Sequence, residues 1–156
     1  MFLSIIRSAG AITVSLVVAL GLIIAVEAFS NVFHPFPPGV DPSDYKVCKA
    51  HVAKYPQWIL AVAVVGWGGT TFVSAWIATR MGAGRHSAHG IAVGALLLIA
   101  ATFNMFMLPY PVWFVIANLL IFPLTIFWAV KAGRAPQPNQ SVVEPEPVDS
   151  ANNDRD

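Results

Sequence analysis

Glu27, Asn31 and His34 recur at i, i+4 and i+7 near the end of an apolar run. On a continuing helix that spacing gathers an acid, an amide and an imidazole within about 60° of arc. Such a trio could bind a cation, a proton or a polar head group. Two further amides, Asn104 and Asn118, flank the short Pro109-Tyr110-Pro111 turn inside the last two apolar runs. Glu27, Asn31, His34, Asn104 and Asn118 are therefore the candidate polar cluster that a small oligomeric conduit or carrier for an ion or solute would use. The competing reading makes Glu27 the first residue past the hydrocarbon, wetted by interfacial water, and makes the two asparagines hydrogen-bonding links between helices. The sequence favours the second reading, because Glu27 lies 18 residues beyond Ala9 and Pro35 bars much helix past Phe33.

A second constellation, Asp44, Cys48 and His51, shares the same spacing, with His34 in the same loop. These are ligand types for zinc or copper. Amphipathic helices produce such coincidences freely, and Cys48 already belongs to an apolar stripe of Tyr45, Cys48, Val52 and Tyr55. No metal and no cofactor is expected, and an outward-facing metal or redox site is the weaker alternative. The lone Cys48 cannot form an internal disulfide. His-Glu-x-x-His, Cys-x-x-Cys, a phosphate-binding loop and a nucleophile elbow are all missing from the sequence. No catalytic residue is assigned, and an enzyme would need a site assembled from scattered residues.

The elements that must position these groups are written in the composition. Of 156 residues, 56% are hydrophobic and 11% charged, less than half the charge of an ordinary soluble domain. The charge sits outside four apolar runs at 9–26, 58–78, 90–108 and 112–130. Roughly 20 residues of helix cross about 30 Å of hydrocarbon, so each run is a spanning candidate. The expectation is an all-α fold, a four-helix transmembrane bundle over 1–134, embedded in a lipid bilayer. A formal net charge of +1, with no dense basic face, argues against nucleic acid as a partner. The first run could instead be a cleaved signal peptide, but 18 apolar residues exceed the usual length of such a core.

Arg7, Arg80, Arg85, Lys131 and Arg134 hug alternate ends of the runs, while Lys46, Lys49 and Lys54 share the long first loop with Asp41 and Asp44. The positive-inside bias then places both termini in the cytoplasm of a multi-pass cell-membrane protein. Tyr55, Trp58, Tyr110 and Trp113 would line the outer interface, Trp76 and Trp128 the inner one. Arg80, Arg85, His86 and His89 form an inner loop suited to anionic head groups. In the first outer loop, three prolines stiffen His34 to Gly39, and Asp41 and Pro42 read as the cap and first turn of a short amphipathic helix reaching about Lys54. Residues 135–156, rich in Pro, Asn and acid, read as a disordered acidic cytoplasmic tail.

Packing is written most clearly. Gly66, Thr70, Ser74 and Ala78 stand at four-residue spacing, and Gly90 and Gly94 repeat the device. In lipid, faces of small residues associate helices by letting backbones approach. His34 to Gly39, Gly66 to Gly69 and the Pro109 to Trp113 turn resemble those of uncharacterised bacterial four-helix inner-membrane proteins that carry a His-Pro-x-Pro-Pro-Gly-like loop after helix one. The resemblance implies the fold and no activity. From the sequence the leading expectation is a non-enzymatic bundle acting by association, as a homo-oligomer or with a larger membrane complex, and the conduit or carrier is its rival.

Overall fold

The computed structural model describes residues 2–134. They form α1 Phe2–Phe33, α2 Tyr45–Val52, α3 Gln57–Met81, α4 Ser87–Met107 and α5 Val112–Gly133, with a 3-10 turn at Ala83–Arg85. The described residues are helical with no strand, and four of the helices, all but α2, are long and apolar enough to cross a membrane. The acidic tail expected over 135–156 lies outside the described residues.

α1 runs past the expected 9–26 at both ends. No proline interrupts it before Pro35, and its last bond runs from the His34 N–H to the Ser30 carbonyl at 2.8 Å. The extension makes Phe29 and Phe33 helical, and both rings meet Trp58 edge-on, with centroids 6.4 and 5.4 Å away. An aromatic rim therefore forms at Phe33 and Trp58. Glu27 lies six residues short of Phe33, roughly 9 Å deeper along the helix.

The start of α2 differs from the Asp41–Pro42 expectation. The Asp41 carboxylate accepts from the Ser43 N–H at 2.9 Å and the Ser43 hydroxyl at 2.7 Å, closing a local turn rather than capping a helix. These bonds hold the Asp41 carboxyl below its usual range. The next acid does the capping: Asp44 accepts from the Lys46 N–H at 2.7 Å and α2 begins at Tyr45. α2 is then pinned to the bundle by the Tyr45 hydroxyl, which donates to the Met107 carbonyl at 2.7 Å.

α3 is the central helix, packed against α1, α4 and α5. Its Ser74, Ala75, Ala78 and Thr79 are fully buried. The small residues singled out above serve these internal contacts. Gly66 lies under Val26, so that an added Cβ would come within 2.7 Å of a Val26 methyl. Gly90 sits on the Ala75 carbonyl and Thr79, and Gly94 under Ile126. α1 rests mainly on α3 and only lightly on α4. At its first turns it is tied by Arg7 Nε donating to the Met81 carbonyl at 2.9 Å and by the Ser8 hydroxyl, 2.9 Å from His89 Nε2. α5 continues through Pro123 to Gly133.

Candidate functional site

Where α1 stands away from α4, a half-open cavity of about 200 Å³ lies between α1, α3 and α4, closed behind by Phe122 of α5. Its polar groups are Glu27 from α1, Trp67, Thr70 and Thr71 from α3, and Asn104 from α4. The rest of the wall, with Ile23, Leu97 and Ala101, is apolar. The depth of the site follows from the contact between Val26 and Gly66, which is nine residues into α3 from Gln57, about 13 Å along the helix. Glu27, itself exposed, thus lines the open side of the cavity more than one turn along α1 from the aromatic rim, and it is the one acid within the long helices among the described residues.

Trp67 is 9% exposed, and its ring is held edge-on by Phe114 and Tyr110, with centroids at 5.5 and 6.4 Å. Its Nε1–H is buried without a partner among the described residues. A buried donor of this kind costs free energy unless something accepts from it. The Thr71 hydroxyl donates to the Trp67 carbonyl at 2.9 Å, which leaves its oxygen lone pairs as acceptors. On the α2 side, burial pushes the phenols of Tyr110 and Tyr55 above their usual value, and the nearby Glu27 charge pushes both further. Both phenols stay protonated at neutral pH.

Of the five residues expected to form a polar cluster, the structure brings together two, Glu27 and Asn104. Asn31 is exposed and outside the cavity lining. His34 leaves the helix ahead of Pro35 and stacks on His51 of α2, with centroids 4.3 Å apart. Asn118 is fully buried, its amide donating to the Phe114 carbonyl at 2.9 Å. Thr70, Thr71 and Trp67 complete the lining in the places of the three that leave it. Sequence reasoning took Trp67 and Thr70 for packing groups, and the one available signal was a threonine pair one turn from a tryptophan in a glycine-rich helix.

A comparison with family models, with curated proteins and with solved structures finds no match. The chemistry of the site is therefore argued from its own residues. One carboxylate, one amide and two hydroxyls in an otherwise apolar pocket give a negative site.

The loop residues with metal-ligand chemistry are arranged otherwise. Among the described residues, no three His, Cys, Asp or Glu side chains converge to hold a metal. His51 is 7% exposed, sandwiched between Phe36 at 3.9 Å and His34 at 4.3 Å, with Nε2 3.1 Å from the His34 carbonyl. Burial, aided by the His34 charge, holds its imidazole below the ordinary value of about 6.5. The folded loop therefore favours neutral His51, and the opened loop takes up the proton more readily. As pH falls through 6.5 the loop loses stability. Amide exchange over residues 34–55, corrected for intrinsic rates, should accelerate between about pH 7 and 5, and His51→Phe should flatten that dependence. Protection unchanged across the range in the wild type would contradict this account.

Proposed function

We propose that the protein is a multi-pass membrane carrier for a small organic cation, which binds against Glu27 within the bundle. What supports the reading is Glu27 lining a cavity with Asn104, Thr70, Thr71 and Trp67 well below the aromatic rim. A charged side chain inside the membrane is costly and is usually retained for function, facing a polar cavity or pathway. A cation neutralises the carboxylate, a hydroxyl on the same ligand pairs with Asn104 or Thr70, and an apolar body matches Ile23, Leu97 and Phe122. Association through the glycine faces has less support, because Gly66, Gly90 and Gly94 are each covered from within the chain.

Choline has the required charge, hydroxyl and size. Vesicles reconstituted with the protein should take up choline faster than protein-free vesicles. Tetrabutylammonium, too bulky for a pocket of about 200 Å³, should not compete. Equal uptake with and without protein would sink the reading.

In the same proposal both termini are cytoplasmic, since Arg7, Arg80, Arg85, Lys131 and Arg134 mark the ends of α1, α3, α4 and α5 on one side of the bundle. Cys48 of α2 is the chain's single cysteine. A membrane-impermeant maleimide should therefore label it from outside intact cells, and labelling only after lysis would reverse the orientation.

A further inference from the structure

Far from Glu27 along α1, a groove between α1 and α3 is lined by Arg7, Gly10, Ala11, Val14, Arg80 and Met81. Two arginines thus share one concavity whose remaining wall is apolar. Arg7 is oriented by its Nε bond to the Met81 carbonyl, which leaves both terminal NH2 groups of the guanidinium as donors. The Arg80 guanidinium carbon lies 5.9 Å from the Trp76 ring centroid, a cation–π distance, and Lys131 repeats the arrangement over Trp128 at 4.9 Å. Tryptophan and cation pairs of this kind mark the level of lipid head groups.

The charge balance at this end is one-sided. Among the described residues the acids are Glu27, Asp41 and Asp44, and none of them belongs to the end that carries Arg7, Arg80, Arg85, Lys131 and Arg134. With Arg7 and Arg80 on one groove and no carboxylate beside them, their donors are left to water unless an anion lies there. The wall beside them is equally specific. Gly10 faces open space, with nothing within 4 Å of where a Cβ would stand, and with the exposed Val14 one turn on it leaves a shallow apolar track beside the arginines.

We propose that this groove is a binding site for an anionic phospholipid. The headgroup phosphate lies between Arg7 and Arg80 and one acyl chain follows Gly10 and Val14. A soluble phosphate would use the arginines but not the track. The chain's own residues 135–156 hold Glu144, Glu146, Asp149, Asp154 and Asp156. That segment would compete for the charge, yet it is mostly polar and matches the apolar wall poorly.

The test is a lipid titration of the purified full-length chain in neutral detergent, read by native mass spectrometry, with phosphatidylglycerol and phosphatidylcholine as probes. Phosphatidylglycerol should bind preferentially. Each basic residue near an anionic surface contributes about fivefold in affinity, so Arg7→Gln combined with Arg80→Gln should weaken phosphatidylglycerol by about 25-fold and leave phosphatidylcholine unchanged. Because Arg7 also holds the Met81 carbonyl, two variants that spare this bond keep the test decisive. Arg80→Gln alone should cost about fivefold, and Gly10→Leu, which keeps every charge and fills open space, should also weaken phosphatidylglycerol severalfold. Equal binding of the two lipids, or Arg80→Gln and Gly10→Leu variants that both bind like the wild type, would overturn the site. Full competition by glycerol phosphate would assign it to a soluble anion instead. A severalfold gain in lipid affinity on changing Glu144, Glu146 and Asp149 to Gln, Gln and Asn would make the chain's own acidic segment the occupant.

Discussion

Glu27→Gln should lower choline uptake by at least about 30-fold while leaving the helical content and melting behaviour of the protein near wild type. The substitution keeps the side-chain shape and removes only the charge. Deleting one partner of a desolvated charge pair costs about 2–5 kcal/mol, and the lower limit corresponds to roughly 30-fold. Asn104→Ala in the same cavity removes a neutral polar group worth about 1 kcal/mol, or roughly fivefold. The order of the two effects matters as much as their size. Asn31→Ala, at a position outside the cavity lining, should leave uptake unchanged. If Asn31→Ala were as damaging as Glu27→Gln, the functional group would be the helical face at i and i+4 and not the cavity, and the proposed site would be wrong.

Gly90→Leu should be the most disruptive single substitution among the glycines of the long helices. A Cβ there would meet the Thr79 hydroxyl and come within 2.6 Å of the Ala75 carbonyl and 2.9 Å of a Val130 methyl. The obstacle at Ala75 is helix backbone within α3, which cannot rotate away. Overpacking against mobile side chains typically costs about 1–3 kcal/mol, so a backbone obstacle should reach about 3 kcal/mol or more. Gly94→Leu is milder, since its nearest atoms all belong to the Ile126 side chain, which has other rotamers. Gly69→Leu meets nothing within 4 Å and serves as the control. Detergent melts should therefore rank the variants Gly90, Gly94, Gly69 from least to most stable, and a Gly90→Leu protein as stable as the Gly69→Leu one would refute the close α3–α4 contact.

Much of the fold is dictated by residue type alone. Backbone in hydrocarbon must satisfy its own hydrogen bonds, so a long apolar run has no option but a helix. Pro35 and Pro109 lie just past the ends of α1 and α4, and Pro56 and Pro111 just ahead of α3 and α5, positions where a missing N–H and a fixed φ cost no helical bond. The four long helices and the short α2 between the first two are accordingly legible in the sequence. The exact start of α2 is not, because Asp41 and Asp44 have equal claims as caps until Ser43 engages Asp41.

The site was decided by tertiary contacts. In the sequence Glu27 looks like the edge of an apolar run, and only the packing of Phe29 and Phe33 on Trp58 moves the rim beyond it. Asn104 and Asn118 are equivalent amides when read along one hairpin, yet one opens on the cavity and the other is sealed against Phe114. That difference lies in the rotation of α4 and α5 about their own axes, set by Gly90 on Ala75 and Thr79 and by Gly94 under Ile126. A spacing of i and i+4 states which residues share a face of one helix. It carries no information about which neighbour that face meets, since helices in lipid are oriented by close packing between chain segments far apart in sequence.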